Sequence, residues 1–274
     1  MSVPEASGGK IGLSIASHSG LPPARIGELA GAAEQAGFGA VFVAEGHGDA
    51  LALCHPVAAA TRRVLVGTAV ANAALRPPVL AAKTAAQLDQ AAGGRFILGL
   101  GVGNAVMNAR FGLPPFEPLR MVEEYVEVVR SVLNRGTGYD GQLFRTGMIP
   151  LDSPPARAGL PVWLGALGPR MLALAGRIAD GVILNLMTPA QAGQAAGLVP
   201  QQVADGFVAW GDAAQVTARL AEYRAAGVDL PVIFPMPVGS DWGYEQTIAE
   251  LALSLREALP SARNRNLSSD SSPR

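Results

Sequence analysis

Short apolar runs rich in β-branched residues alternate with longer, alanine-rich stretches along most of this chain. The longer stretches have the period of an amphipathic helix, and the short runs have the length of strands. Each short run is almost continuously apolar, which is typical of strands buried on both faces of a parallel sheet. The alternation predicts repeated βα units, with strands over residues 11–16, 40–44, 64–70, 96–100, 161–164, 181–184 and 230–234.

Prolines and glycines mark the ends of the helical stretches. Pro78 and Pro169 stand where the first turn of a helix tolerates proline, and Gly37 and Gly227 stand where a helix would end. His55 precedes Pro56, where another helix is expected to begin. We therefore predict helices over residues 25–36, 78–92, 120–133, 169–179, 212–226 and 245–258.

No shift in composition divides the repeated units into two parts. We predict one α/β domain over residues 11–260 with the architecture of a (β/α)8 TIM barrel, although seven strands are found and the closed barrel has eight. Residues 1–10 and 261–274 are polar and nonperiodic, so both ends are predicted to be disordered. Residues 134–160 are broken by glycine and proline and predict an irregular excursion.

Charge and cysteine content exclude several classes of function. Lys and Arg number 21 against 22 Asp and Glu, so no net field attracts nucleic acid or an anionic membrane. The start of the chain has no apolar segment of a signal peptide, and no run reaches the roughly 20 apolar residues of a membrane span. A single cysteine, Cys54, excludes an internal disulfide framework. We expect a cytoplasmic protein that binds neither nucleic acid nor membrane.

Polar residues and glycines follow the predicted strands. In a parallel barrel the carboxyl ends of the strands form the active-site face, so these residues are the first functional candidates. Glycine there allows a ligand to approach the backbone. The candidates are His18 after the first strand, Glu45 and His47 after the second, Asn72 and Arg76 after the third, Gly101, Gly103 and Asn104 after the fourth, and Gly165 to Gly168 after the fifth.

The glycine motifs are compatible with an organic cofactor but do not identify it. The segment LGLGVGN has its glycines at 99, 101 and 103, which does not fit GxGxxG. The turn GALGPR, from Gly165 to Arg170, joins a strand to a helix whose first N–H groups suit a phosphate, or it is an ordinary βα turn. HExxH, Walker A and GxSxG motifs are absent, and three histidines with scattered carboxylates predict no metal site. The chemistry is therefore assigned to a bound organic cofactor.

Three residues are candidates for proton handling. His18 and His47 can each accept or donate a proton near neutral pH, or they can be hydrogen-bonded loop residues. Glu45 ends an apolar strand, where a buried carboxylate needs a partner. The alternative for Glu45 is a structural ion pair with Lys83 or Arg95.

Three stretches together resemble the bacterial luciferase-like superfamily, whose members use FMN or coenzyme F-420. They are GTAVANAALRPP near residue 67, LDQAAGGRFILGLGVGN ending at Asn104, and PVWLGALGPRMLALAGRIADGVILN from Pro161. The resemblance covers about residues 11–188 and resumes over 199–237. It implies a (β/α)8 barrel whose mouth holds the flavin or deazaflavin ring.

The resemblance also implies which residues would contact the cofactor. A bulge after the third strand, often with a non-prolyl cis peptide, lies behind the ring in this family, and Ala69–Val70 is the matching position. Arg76 and Arg170 are conceivable partners of an anionic tail. The implied cofactor-binding residues are Ala69, Val70, Asn72, Gly101, Gly103, Asn104, Gly165, Ala166, Leu167 and Gly168.

Three features depart from the family pattern. Many F-420 members have a histidine directly after the carboxylate, whereas Gly46 separates Glu45 from His47 here. The family's sugar-phosphate dehydrogenases carry an acid where Asn104 stands, so we do not expect that activity. One βα unit is also missing near residues 186–199, since a full unit needs about 30 residues. An open sheet edge would favour a homodimer.

The leading hypothesis is an oxidoreductase that uses coenzyme F-420, or alternatively FMN, for hydride transfer or monooxygenation of a small organic substrate. Glu45, His47 and His18 are the catalytic candidates. The second hypothesis is a cofactor-binding protein without turnover, suggested by the shortened barrel. A cofactor-free lyase or isomerase is the third, and it lacks a convincing acid–base pair.

Overall fold

The computed structural model describes residues 11–134, 137–184, 213–235 and 243–257. Strands and helices alternate along them, as the sequence predicts. The strands are β1 Gly12–Ala16, β2 Ala40–Ala44, β3 Leu65–Thr68, β4 Ala71–Asn72, β5 Phe96–Gly101, β6 Tyr139–Asp140, β7 Arg145–Thr146, β8 Val162–Gly165, β9 Gly181–Ile183 and β10 Val232–Ile233. The helices are α1 Pro23–Ala36, α2 Ala50–Ala60, α3 Pro78–Ala91, α4 Ala105–Arg110, α5 Pro118–Leu133, α6 Pro169–Ile178, α7 Ala213–Ala225 and α8 Tyr244–Glu257.

One curled parallel sheet organises the fold. Its strand order is β10-β1-β2-β3-β5-β8-β9, and β4 continues the line of β3 beside β5. Every pairing in this sheet is parallel. All seven predicted strands are therefore confirmed, as is the α/β class. The sheet is a half-barrel, because no pairing joins β9 to β10 within the described parts of the chain.

The residues on the two faces of the strands belong to two separate apolar clusters. Along β2, Val41 and Val43 belong to the large cluster formed with the helices. Ala40 and Phe42 belong to a smaller cluster on the opposite face, inside the curve of the sheet. The ring centroids of Phe42 and Trp163 lie 6.0 Å apart in that smaller cluster. The strands are buried on both faces, as their continuously apolar sequences predict.

Helix starts follow local sequence rules, although the start of one helix was misplaced and one short helix was missed. Proline occupies the first turn of α1, α3, α5 and α6. The α2 helix begins at Ala50 because the Asp49 side chain accepts hydrogen bonds from the N–H groups of Leu51 and Ala52. The prediction that His55 lies at a helix start is therefore wrong, since His55 and Pro56 lie within α2. The short α4 helix was also not predicted.

The excursion between α5 and β8 contains one short hairpin, β6–β7, and is attached to the barrel by buried carboxylates. Glu124 of α5 accepts hydrogen bonds from the N–H groups of Gln142, Leu143 and Phe144. Asp89 of α3 is fully buried and accepts hydrogen bonds from the N–H groups of Phe96 and Arg157. These carboxylates supply acceptors for backbone N–H groups that would otherwise lack hydrogen-bond partners.

Several predictions fall outside the described residues. These are the disordered ends over 1–10 and 261–274 and the missing unit near 186–199. Within the part of the chain that the structure describes, no helix combines the length and the apolar character needed to cross a bilayer.

Substitution of Asp89 tests whether its carboxylate attaches the excursion to the rest of the fold. Asp89 Oδ1 lies 3.4 Å from Arg157 Nε, and the Asp89 side chain is fully buried. We predict that Asp89→Ala lowers the free energy of unfolding by about 3–5 kcal/mol, because it leaves a half-buried arginine and two N–H groups without their acceptor. Urea denaturation measures the change.

The Arg145–Asp140 ion pair supplies the control, because both of its side chains are at least 80% exposed. Asp140→Ala should change the free energy of unfolding by at most about 1 kcal/mol. Equal effects of the two substitutions would contradict the proposed attachment.

Candidate functional site

The predicted site residues meet at one edge of the sheet. Strands β1, β2, β3 with β4, β5 and β8 are consecutive neighbours and run in the same direction. The segments that follow them therefore lie side by side at the carboxyl edge, which forms the mouth of the half-barrel. The structure brings together the residues predicted from the sequence after each of these strands.

The third strand is interrupted at the mouth. Strand β3 ends at Thr68, a cis peptide bond joins Ala69 to Val70, and β4 begins at Ala71. The cis bond occurs at the position that the family resemblance implies. The Ala69 N–H donates to the Val43 carbonyl at 2.9 Å, and the Val70 carbonyl accepts from the Glu45 N–H at 3.3 Å. Backbone contacts thus join the interruption to the end of β2.

Val70 occupies the middle of the mouth because two neighbouring residues are glycines. A Cβ atom at Gly101 would lie 2.5 Å from Val70 Cγ2, and one at Gly165 would lie 3.2 Å from Val70 Cγ1. Any other residue at Gly101 would displace the valine. The Val70 side chain is half-buried. Its accessible part forms an apolar surface between β5 and β8, which we call the Val70 wall.

The Glu45 carboxylate lies in a buried ion pair beside this wall. Its oxygens accept from Arg76 Nη2 at 2.5 Å and from Arg76 Nη1 at 2.9 Å, and Oε2 also accepts from the Asn72 N–H. The partner is therefore Arg76, and the expected alternatives, Lys83 and Arg95, were wrong. The Arg95 guanidinium instead donates to the carbonyl oxygens of Thr61 and Val64.

Two asparagines organise the loop after β5. The Asn72 side chain accepts from the Ala74 N–H at 3.0 Å and donates to Asn108 Oδ1 at 2.8 Å. Asn104 accepts from the Met107 N–H at 2.8 Å and so begins α4. Gly103, between them, has a φ of 65°, and a Cβ there would lie 2.5 Å from Asn72 Nδ2. The side chains of Asn72 and Asn104 thus hold the loop in shape.

His18 and His47 lie close together at the mouth. Their ring centroids are 6.1 Å apart, and both residues are exposed. A Cβ atom at Gly46 would lie 2.2 Å from His18 Nδ1, so the His18 ring occupies the space of a side chain at position 46. The Gly46 N–H donates to Ser17 Oγ at 2.6 Å. Partial burial of the His18 ring lowers its pKa below the usual value, and the charge of His47 lowers it further.

The turn after β8 leaves the start of α6 open. The Ala166 N–H donates to the Ile183 carbonyl at 3.0 Å, and the next residue, Leu167, is exposed. Gly168 precedes the helix, no side chain caps the helix there, and a Cβ at Gly168 would have no neighbour within 4 Å. Free N–H groups in the first turn, with open space in front of them, are suited to an anion.

Three residues contact the site residues but were not predicted to be part of the site. Asn108 is buried and accepts a hydrogen bond from the side-chain amide of Asn72. Tyr125 Oη donates to the Arg76 carbonyl at 3.2 Å. Asp49 lies 3.1 Å from Arg76 Nη2 while it caps α2. The signal for Asp49 was present, since an aspartate before an apolar helical run predicts an N-cap. No local signal identifies Asn108 or Tyr125.

Arg76 and Arg170 were both considered as partners of an anionic cofactor tail. The guanidinium of Arg76 is directed to Glu45 and Asp49 instead, and its side chain is only 10% exposed. Arg170 lies exposed in the first turn of α6. Among the residues that the structure covers, no three His, Cys, Asp or Glu side chains form a cluster that could hold a metal ion.

Comparison with known proteins gives a matching family and relatives of similar sequence. Residues 10–197 match the family model of the luciferase-like monooxygenases. The chain is 38% identical over 202 residues to a Mycobacterium tuberculosis protein assigned to the coenzyme F-420-dependent oxidoreductases, covering 68% of this chain and 58% of that protein. It is 31% identical over 160 residues to the 5,10-methylenetetrahydromethanopterin reductase of Archaeoglobus fulgidus, covering 57% and 48%. The chain thus matches about half the length of these curated relatives.

Among solved structures, the fold resembles the coenzyme F-420-dependent tetrahydromethanopterin reductase of Methanopyrus kandleri. The TM-score is 0.76 at 19% identity, covering 90% of this chain and 99% of that chain. An F-420-dependent secondary alcohol dehydrogenase gives a TM-score of 0.71 at 19% identity, covering 86% and 97%. The family match extends over more than half of the sequence and includes the interrupted third strand and the Gly165 turn. The chain therefore belongs to the luciferase-like monooxygenase family.

Proposed function

We propose that this protein is an oxidoreductase that binds coenzyme F-420 at the mouth of the half-barrel and transfers hydride to or from a small organic substrate. Relatives whose names include coenzyme F-420 support this cofactor over FMN. Hydride transfer is also proposed ahead of monooxygenation, because the sequence relatives whose names include F-420 are an oxidoreductase and a dehydrogenase, and a further relative is a reductase. Homodimerisation and a cytoplasmic location stay predictions.

The Val70 wall is the observation that carries the proposal. A planar deazaflavin ring needs an apolar surface against one face, and Val70 offers one between two glycines. When bound, the deazaflavin supplies the hydride-transfer chemistry. The proposed cofactor-binding residues are Ala69, Val70, Asn72, Gly101, Gly103, Asn104, Gly165, Ala166, Leu167 and Gly168.

The turn before α6 fits the other end of the cofactor. Gly168 has open space at its Cα, and the helix that follows has no side-chain cap. A phosphate there would accept hydrogen bonds from the first-turn N–H groups and would interact favourably with the helix dipole. The turn follows β8, where a Cβ at Gly165 would lie 3.2 Å from Val70 Cγ1, so the proposed ring and phosphate sites adjoin one another.

We assign proton handling to His18 and His47. Hydride transfer to a carbonyl, or from an alcohol, requires a proton to move as well. The two imidazoles are exposed at the mouth, and His18 occupies the volume above Gly46. Partial burial, and then the charge of the second histidine, lower the His18 pKa, which favours a neutral ring that can accept a proton.

A fluorescence and absorbance titration of the full chain with F-420 and FMN, in both redox states, tests the proposal. We expect saturable binding of F-420 and oxidation or reduction of the bound cofactor by some member of a panel of small alcohols, ketones and enones. Binding of F-420 without turnover across the panel would favour a binding protein. Folded protein that binds neither cofactor would overturn the proposal.

The phosphate turn can be tested without disturbing the fold. Gly168→Asp should weaken F-420 binding by about 100-fold or more, because the carboxylate repels a phosphate a few ångströms away. The same aspartate can cap α6, so the melting temperature should stay the same or rise. Binding is measured by fluorescence titration.

Gly168→Asn is the matched control for this test, since it can cap α6 without adding a negative charge. Its loss of affinity should be clearly smaller than that of Gly168→Asp. If Gly168→Asp binds F-420 as tightly as the unmodified chain, the phosphate lies elsewhere.

The histidine pair predicts a pH effect. His47→Gln removes one of the two influences that lower the His18 pKa, so the pKa of His18 should rise toward its usual value. The midpoint of the His18 titration, followed by NMR of the imidazole C–H signals, should move to higher pH. His55→Gln on α2 is the control and should leave this midpoint unchanged. An unchanged midpoint in His47→Gln would contradict the coupling.

A further inference from the structure

Every oxygen of the Glu45 carboxylate is engaged by donors from the protein. Oε1 accepts from Arg76 Nη2 at 2.5 Å and from the Ala50 N–H at 3.4 Å. Oε2 accepts from Arg76 Nη1 at 2.9 Å and from the Asn72 N–H. The side chains of Glu45 and Arg76 are 6% and 10% exposed. The carboxylate therefore has four donors around it and little open surface.

Both the side chain and the backbone carbonyl of Arg76 form further contacts. Its guanidinium also lies 3.1 Å from Asp49, the cap of α2, and 3.4 Å from the Asn72 carbonyl. Its backbone carbonyl accepts from the Tyr125 hydroxyl of α5 at 3.2 Å. Burial lowers the pKa of Arg76, but the hydrogen bonds and charge of Glu45 outweigh burial and raise that pKa above its usual value. Arg76 thus stays a cation that requires its carboxylate partner.

This ion pair controls the backbone behind the Val70 wall. The Glu45 side chain accepts from Asn72, and its own N–H donates to the Val70 carbonyl at 3.3 Å. Both contacts fall on the segment from Val70 to Asn72. We propose that Glu45 and Arg76 are positioning residues, which fix this segment and thereby the place of the cofactor ring, and that Glu45 is not a proton donor in the reaction.

The contacts themselves argue against proton transfer by Glu45. A proton on either oxygen would take an acceptor site from Arg76, Ala50 or Asn72 and would leave the buried guanidinium with the exposed Asp49 carboxylate as its remaining counter-charge. The two histidines, in contrast, are exposed at the mouth. The part of this inference that concerns the cofactor ring rests on the proposed function. The effect of the ion pair on the backbone does not, because it is present without cofactor.

Two conservative variants test the inference. Glu45→Gln keeps the shape and removes the charge, and Arg76→Lys keeps the charge and removes the two-pronged contact. Neither leaves a cavity, so both variants should fold, and circular dichroism checks this. In the cofactor-free chain we expect amide hydrogen exchange over residues 70–73 to become about tenfold faster in each variant.

The Arg130–Asp180 pair supplies a matched control at the opposite edge of the sheet. Asp180 Oδ2 accepts from Arg130 Nη2 at 2.9 Å and from the Val162 N–H at 2.9 Å, the same combination of arginine and backbone donors. Asp180→Asn should leave exchange over residues 70–73 unchanged. If Glu45→Gln and Arg76→Lys also leave it unchanged, the positioning role is wrong.

Measurements of cofactor binding and of the pH profile of turnover distinguish a failure of this inference from a failure of the proposed function. We expect both variants to weaken F-420 binding by about tenfold or more, to shift the absorbance of bound F-420, and to keep the pH profile of turnover unchanged. A Glu45→Gln variant that binds F-420 normally but loses turnover together with one limb of the pH profile would make Glu45 a proton donor. If the unmodified chain binds no F-420, the proposed function fails, while hydrogen exchange still decides the positioning role.

Discussion

The Glu45 carboxylate connects three parts of the chain that meet at the mouth of the half-barrel. It accepts from the guanidinium of Arg76, from the Asn72 N–H beside the interrupted strand, and from the Ala50 N–H at the start of α2. Because an ionised carboxylate accepts several strong hydrogen bonds at once, one buried residue can hold these segments together. The interruption of the third strand then presents Val70 at the centre of the mouth, and the cofactor site that we propose depends on that placement.

Close packing around Val70 and His18 explains why glycines surround the mouth. Gly101 and Gly165 leave space for the Val70 side chain, and Gly46 leaves space for the His18 ring. These glycines therefore support particular neighbours in addition to making room for a ligand. The departure of Gly46 from the carboxylate–histidine pattern has a structural explanation here, since a histidine from the first strand's loop occupies the place of the missing side chain.

The sequence predicted the elements and the edge of the sheet where the candidates meet, because apolar periodicity and strand direction are local properties. It also indicated the interrupted strand at Ala69–Val70 through a family resemblance. It did not predict the partner of Glu45, because Arg76 lies 31 residues away and its long side chain can reach several groups. It placed the start of α2 too late because Pro56 resembles a helix start, whereas the aspartate seven residues earlier caps the helix.

A crystal structure of the full chain with coenzyme F-420 would test the central claim most directly. We predict that the deazaflavin ring lies against Val70 between Gly101 and Gly165, with the phosphate at the N–H groups that begin α6. The Glu45–Arg76 ion pair should be retained behind the ring. A ring bound away from Val70, or a Glu45 carboxylate that leaves Arg76 to contact the cofactor or substrate, would contradict this account.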